Sequence, residues 1–412
     1  MGLKQLRSYA QLLVRSGLNV QPGQTVLIEV DVENEHFAKL VAEESYKAEA
    51  KQVVIRYTDA VLDKFKCERQ TAKQIREVEY WEREQLDRYV REGACSLLLT
   101  SSYLGLMDEL DSEKATAYQQ RSNELRNVIR HRIQTHHIQW CIAPVPNKYW
   151  AEVLFPKEDE QDAIEKFWKV LFKLMYMKKG EDPVENWNTH QLRIKTKRDW
   201  LNTLELKSLH FTNSIGTNLT IGLSDDHHWG GGIDEEEGTI AFSANMPTEE
   251  VFTSPDRFEV NGRVVSSRPL YLAGQIIDNF TLTFKDGEVV DVIAEKNLKV
   301  LKDLLLTDEG ARYLGEVALV ENSSMISQSG MLFYNTLLDE NAACHLALGK
   351  GFSGCVNGVN SVMDESWADH HLNVSGIHVD FMFGTSDMKV DAVTRSGSTI
   401  VLFENGNFAE AK

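Results

Sequence analysis

In the segment Ile377-His378-Val379-Asp380-Phe381-Met382 an imidazole and a carboxylate stand two residues apart. On a strand such side chains share a face, so His378 and Asp380 can serve one cation together. Glu340 and His345 stand near each other in Leu338-Asp339-Glu340-Asn341-Ala342-Ala343-Cys344-His345, ahead of a small apolar run. Two more acids occur in segments of buried character: Glu250, beside Glu249, in Pro247-Thr248-Glu249-Glu250-Val251-Phe252, and Glu316 in Gly315-Glu316-Val317-Ala318-Leu319-Val320. A buried carboxylate needs a partner, because desolvating the unpaired ion is too costly. Carboxylates mixed with imidazole suit zinc, cobalt or manganese rather than a soft metal. Together Glu250, Glu316, Glu340 and Asp380 would balance two divalent cations, which favours two metals over one. Taken singly, each residue also fits an ordinary role. Glu340 fits a helix-surface acid, Asp380 a turn or salt-bridge residue, and His345 and His378 hydrogen-bonded core histidines. Glu249 fits a solvated acid.

Composition narrows the function. The formal net charge of -18 repels a phosphate backbone, so nucleic acid is excluded as a general partner. Cys67, Cys95, Cys141, Cys344 and Cys355 are odd in number, dispersed and without a C-x-x-C pair. That pattern indicates neither a disulfide framework nor a zinc knuckle, and a reducing compartment follows. The amino terminus lacks the apolar run of a signal peptide, and no stretch is long enough to span a bilayer. The expected location is the cytoplasm, with no membrane partner.

These residues need a scaffold, and at 412 residues two domains are expected. Leu3, Leu6, Leu12 and Leu13 recur at helical spacing up to Gly17, and Pro22-Gly23 turns the chain into Thr25-Val26-Leu27-Ile28. A helix through Phe37, Leu40 and Val41 leads to Val53-Val54-Ile55, and apolar runs at Leu97-Leu98-Leu99 and Ile138 to Ile142 follow. Strands alternating with helices predict an α/β domain with a mainly parallel sheet. A helix carrying Ile164, Phe167, Trp168, Leu171 and Leu174 is expected to end at Lys178-Lys179-Gly180, and a boundary is placed near residue 185. Residues 1–185 then form the α/β domain and residues 186–412 a strand-rich α+β domain, antiparallel or barrel-like, that carries the metal site. In it Phe280 to Phe284, Asp286-Gly287 and Val289 to Val292 have the chemistry of a hairpin. Gly230-Gly231-Gly232 fits a tight turn rather than a phosphate loop, and Asp234 to Glu237 is too short for a linker.

Four ordered motifs resemble the thermophilic-type metallo-aminopeptidases, the family of aminopeptidases T, II and S. They are Asn245 to Thr253, Asp308 to Val320, Phe333-Tyr334-Asn335-Thr336-Leu337 through His345 to Gly349, and His378 to Met382. The resemblance spans essentially the whole chain. It implies metal ligation by Glu250, Glu316, Glu340, His345, His378 and Asp380, with Glu316 bridging two divalent ions (Zn, Co, Mn or Mg). It also implies a homodimer and peptide substrates with a free amino terminus, cut at the first peptide bond by a metal-bridged hydroxide. Proton transfer needs a carboxylate near that water and not consumed as a ligand; Glu249 is the candidate, with Glu316 the other acid of the catalytic centre. One position departs: where the family usually has Tyr, the chain reads Leu348-Gly349-Lys350-Gly351-Phe352. A catalytically impaired metal- and peptide-binding homologue is therefore the alternative. A two-metal phosphoesterase lacks an obvious basic cluster to clamp phosphate.

Overall fold

A computed structural model describes residues 2–106, 110–134, 138–236, 240–272, 275–361 and 365–409; Met1 and Glu237 lie outside them. The chain divides into two compact units, Met1–Gln191 with Ile233–Pro247 and Leu192–Gly232 with Thr248–Lys412.

In the first unit, helix α1 (Leu3–Leu12) passes into a π-helical turn ending at Gly17, and strand β1 (Thr25–Asp31) follows. Then come α2 (Glu35–Lys47), β2 (Gln52–Thr58), β3 (Cys95–Thr100) and β4 (Trp140–Pro144). The four strands pair in parallel in the order β2-β1-β3-β4. The periodic leucines of α1 are what its buried face needs: Leu6, Tyr9, Ala10 and Leu12 join Val26, Ile28 and Val30 of β1 in one core. The later helix, Glu160–Leu174, starts at an Asp159 cap and stops before Lys178. Tyr176 takes a left-handed φ of 56° there, and the Met177 N–H returns to the Phe172 carbonyl at 2.9 Å, which closes the last turn. The segment 233–247 comes back to this unit because Asn245 bridges Ile142, with the Met246 N–H donating to the Ile142 carbonyl.

The second unit holds two antiparallel sheets. One has nine strands, and Gln275–Lys285 and Glu288–Lys296 form the expected hairpin in it. Asp286 and Gly287 both take positive φ at its turn, as a twisted two-residue hairpin requires. The other sheet consists of β5 (Glu250–Thr253), β6 (Leu314–Val320), β7 (His345–Gly349) and β8 (His378–Met382), in the order β8-β7-β6-β5. One face of this small sheet is apolar. Val251, Val317, Leu319, Leu346, Leu348 and Phe381 share a core with Leu209, Phe211 and Leu282 of the large sheet. Each such side chain, fully buried, contributes roughly 1.5–3 kcal/mol relative to exposure, which fixes the small sheet's orientation.

Candidate metal centre

Strand periodicity sends the other residues of the small sheet to its opposite face. Glu250 alternates with Val251, Glu316 with Val317, His345 with Leu346, and His378 and Asp380 with Val379 and Phe381. Registering the apolar positions on one core therefore gathers all five polar side chains on one face. Cross-strand register sets their spacing. Glu316, Ala347 and Asp380 form one row across three strands, and Ala318 stands beside His345. The two alanines leave room between larger polar neighbours.

A bulge adjusts β6 at the point where this matters. Leu314 pairs with Leu348 and Glu316 with Ala347, so Gly315 is an extra residue. In a regular strand Leu314 and Glu316 would share a face; the bulge lets Leu314 enter the core while Glu316 stays on the polar side. Only glycine fits at position 315, since a Cβ there would collide with the carbonyl oxygens of Gly349 and Lys350. At the edge of β5, Gly230 exchanges hydrogen bonds with Phe252, in the glycine turn expected from the sequence.

Two groups of three donors result: Glu250, Glu316 and His345, and Glu316, His378 and Asp380. Glu316 belongs to both. Its Oε1 lies 3.9 Å from His345 Nε2 and its Oε2 3.2 Å from His378 Nε2. His345 Nε2 also stands 3.1 Å from Glu250 Oε2, and His378 Nε2 3.3 Å from Asp380 Oδ1. The opposite ring nitrogens are engaged by the main chain. Nδ1 of His345 is 3.2 Å from the Ala343 carbonyl and Nδ1 of His378 2.7 Å from that of Lys350. A carbonyl oxygen only accepts, so Nδ1 carries hydrogen in both rings and each Nε2 is left to bind a cation once deprotonated.

The electrostatics call for positive charge. Among the described residues no lysine or arginine pairs with Glu250, Glu316, Glu340 or Asp380; the ion-pair partners of Glu250, Glu316 and Asp380 are the two histidines. Burial pushes His345 down, but the Glu250 hydrogen bond and the charges of Glu250, Glu316 and Asp380 outweigh it and raise the imidazole to about 10. For His378 burial is likewise overcome, here by Asp380 and Glu316, and the group lies well above its ordinary value. Burial raises Glu316, and burial with the charges of Asp380 and Glu250 raises Glu340 further. Asp380 falls: burial opposes this, but His378 outweighs it. Asp380 Oδ1 is buried, with no hydrogen bond beyond its ion pair with His378 Nε2. A cluster of buried carboxylates that must hold protons on its histidines to offset its own charge fits divalent cations.

The remaining expected residues lie around these groups. Glu340 is buried in the turn before β7 and interacts electrostatically with Asp380, Glu250, His345 and Glu316, but belongs to neither tight group. Glu249 is half-buried, and its N–H donates to Asn341 Oδ1 at 2.7 Å. Asn341 was not singled out from the sequence. It is fully buried and also donates through Nδ2 to the Leu337 carbonyl at 3.1 Å and to Glu340 Oε1 at 3.4 Å, tying Glu249 to Glu340. The only signal for it was a polar residue between an acid and an apolar run. The Phe352 ring packs 4.9 Å from His378 and 5.4 Å from Phe252, so the departure from the family pattern falls beside the polar cluster.

Comparison with known proteins agrees with this chemistry. Residues 3–408 match the family described as thermophilic metalloprotease (M29). Aminopeptidase AmpS of Bacillus subtilis is 39% identical over 98% of both chains, and aminopeptidase 2 of Geobacillus stearothermophilus 37% identical over 98% of both. The solved structure of wild-type AmpT from Thermus thermophilus superposes with a TM-score of 0.92 at 33% identity, covering 99% of this chain and 100% of that one. The fold, the ordered motifs and these matches together place the chain in the thermophilic metalloprotease family, the metal-dependent hydrolases to which its aminopeptidase relatives belong.

Proposed function

We propose that the chain is a dinuclear metal-dependent aminopeptidase that removes the amino-terminal residue of peptides. The observation that carries this is the placement of Glu316, which turns one carboxylate oxygen toward His345 and the other toward His378. Glu250, Glu316 and His345 would hold one divalent ion and Glu316, His378 and Asp380 the other, with Glu316 shared and Glu340 completing the charge balance. When bound, such ions supply Lewis acidity and bring the pKa of water toward neutrality.

The chain's own groups supply the rest. The Ala343 and Lys350 carbonyls hold both imidazoles in the tautomer that leaves Nε2 for a cation. Asn341 fixes the backbone of Glu249, to which we assign the proton taken from water and passed to the leaving amine. The buried acids supply negative charge for a substrate's free α-ammonium, which gives the selectivity for amino ends. We further assign the chain to the cytoplasm, where its five buried cysteines stay thiols, and to a homodimer.

A second reading has its own observation. Phe352 stands against His378 with no hydroxyl, so a donor to the developing oxyanion is missing there. On that basis the chain would bind metals and peptides but turn them over poorly. One experiment separates the two: metal-stripped protein is titrated with cobalt or zinc while cleavage of the first peptide bond is followed in a leucyl peptide, which releases leucine, and in its N-acetylated form, which would release N-acetyl-leucine. Activity on the free peptide that saturates near two ions per chain supports the aminopeptidase. Tight uptake of two ions without release supports the impaired homologue, and equal cleavage of the acetylated peptide removes amino-end recognition.

A further inference from the structure

Beside the end of the small sheet lies a cavity of about 310 Å³, within the range of small-ligand sites, bordered by Ser267, Arg268, Asn322, Ser327, Thr385 and the turn Ala342-Ala343-Cys344. Its lining contains no acid, and Arg268 is its one charged residue. The guanidinium donates through Nη1 to the Met331 carbonyl at 2.9 Å, and among the described residues it has no carboxylate within ion-pair distance. Asp339 attracts it only from farther off, and burial holds its pKa below the usual value. Asn322 spends its side-chain oxygen on the Ser327 hydroxyl, which leaves its amide NH2 as a donor. A partly desolvated cation normally has an anion near it, and a planar guanidinium with an amide donor on the same cavity lining suits two oxygens of one ligand.

We propose that this cavity is a binding site for a small oxyanion of carboxylate or phosphate type, clamped by Arg268 with Asn322. The site shares a wall with the metal face: Ala343, which borders the cavity, gives its carbonyl to His345 Nδ1. Two residues of chain span at most about 7 Å, so an anion here lies close enough to be either a separate effector or the carboxylate end of a short peptide.

Calorimetric titration of inorganic phosphate into metal-loaded protein, wild type against Arg268→Met, tests the site without any reference to peptidase activity. The expected result is at least a tenfold loss of phosphate affinity with metal content unchanged. If Arg268→Met does not fold, Ser327→Leu fills the cavity with the arginine intact and should give the same loss. A second arm compares KM for a leucyl dipeptide with that for its carboxy-terminal amide. A tenfold rise for the acid alone in the variant identifies the substrate's carboxylate as the anion. Lost phosphate binding with an unchanged acid-to-amide ratio identifies a free anion. Phosphate affinity and acid-to-amide ratio both unchanged in the variants would overturn the proposal.

Discussion

Glu316 has two oxygens and two imidazole neighbours, and both imidazoles lie above their ordinary pKa because buried acids surround them. A raised histidine stabilises the metal-free fold fully below about 6.5 and loses that contribution as pH rises through about 10. Between those values the metal-free protein holds a proton on His345 that a cation must displace. Loading at pH 8 should therefore release at least one proton per chain, seen as a dependence of the binding heat on buffer ionisation enthalpy; a buffer-independent heat contradicts the protonated cluster. Phe352 gives a second expectation at this scale. If its missing hydroxyl limits turnover, Phe352→Tyr should raise kcat by about tenfold to a hundredfold with metal content and KM little changed. An unchanged kcat would show that another donor serves the oxyanion. His378 and Asp380 are legible in the sequence because a strand's period of two is local. Asn341 is not, since its role depends on the backbone of a residue distant in sequence, Glu249.

At the scale of elements, the small sheet works as a sorting device, with leucines on one face and ligand-type residues on the other. The bulge at Gly315 is what lets Leu314 and Glu316 obey both demands. Gly315→Ala should force the backbone away from the Gly349 and Lys350 carbonyls at a cost of roughly 1–3 kcal/mol, and should weaken metal uptake more than it lowers secondary-structure content. Metal titration with far-ultraviolet dichroism checks this; full metal affinity in a folded variant would show that the bulge does not aim Glu316. The parallel sheet of the first unit is legible in advance because each strand and its following helix are consecutive. The order β8-β7-β6-β5 is not, because β5 and β6 are far apart in sequence and nothing local encodes their pairing. The return of residues 233–247 to the first unit is equally non-local, set by the bridge from Asn245 to Ile142.

Across the whole molecule, folding of the second unit and metal binding are linked, because the ligand-type residues come from four strands that exist together only in the native state. A cation at a hundredfold excess over its Kd adds about 2.7 kcal/mol per site. Chelation should lower the melting temperature by a few degrees and cobalt or zinc should restore it, as scanning calorimetry would record; identical transitions with and without metal would separate the cluster from stability. The carbonyls that orient His345 and His378 have a consequence for how this enzyme can be studied and how it can diverge. Both are peptide groups, of Ala343 and Lys350, and no side-chain substitution deletes a peptide group. An alanine scan would therefore pass over the atoms that set each imidazole's tautomer. For the same reason a substitution at position 343 or 350 that keeps the turn geometry leaves the proton inventory of the site constant.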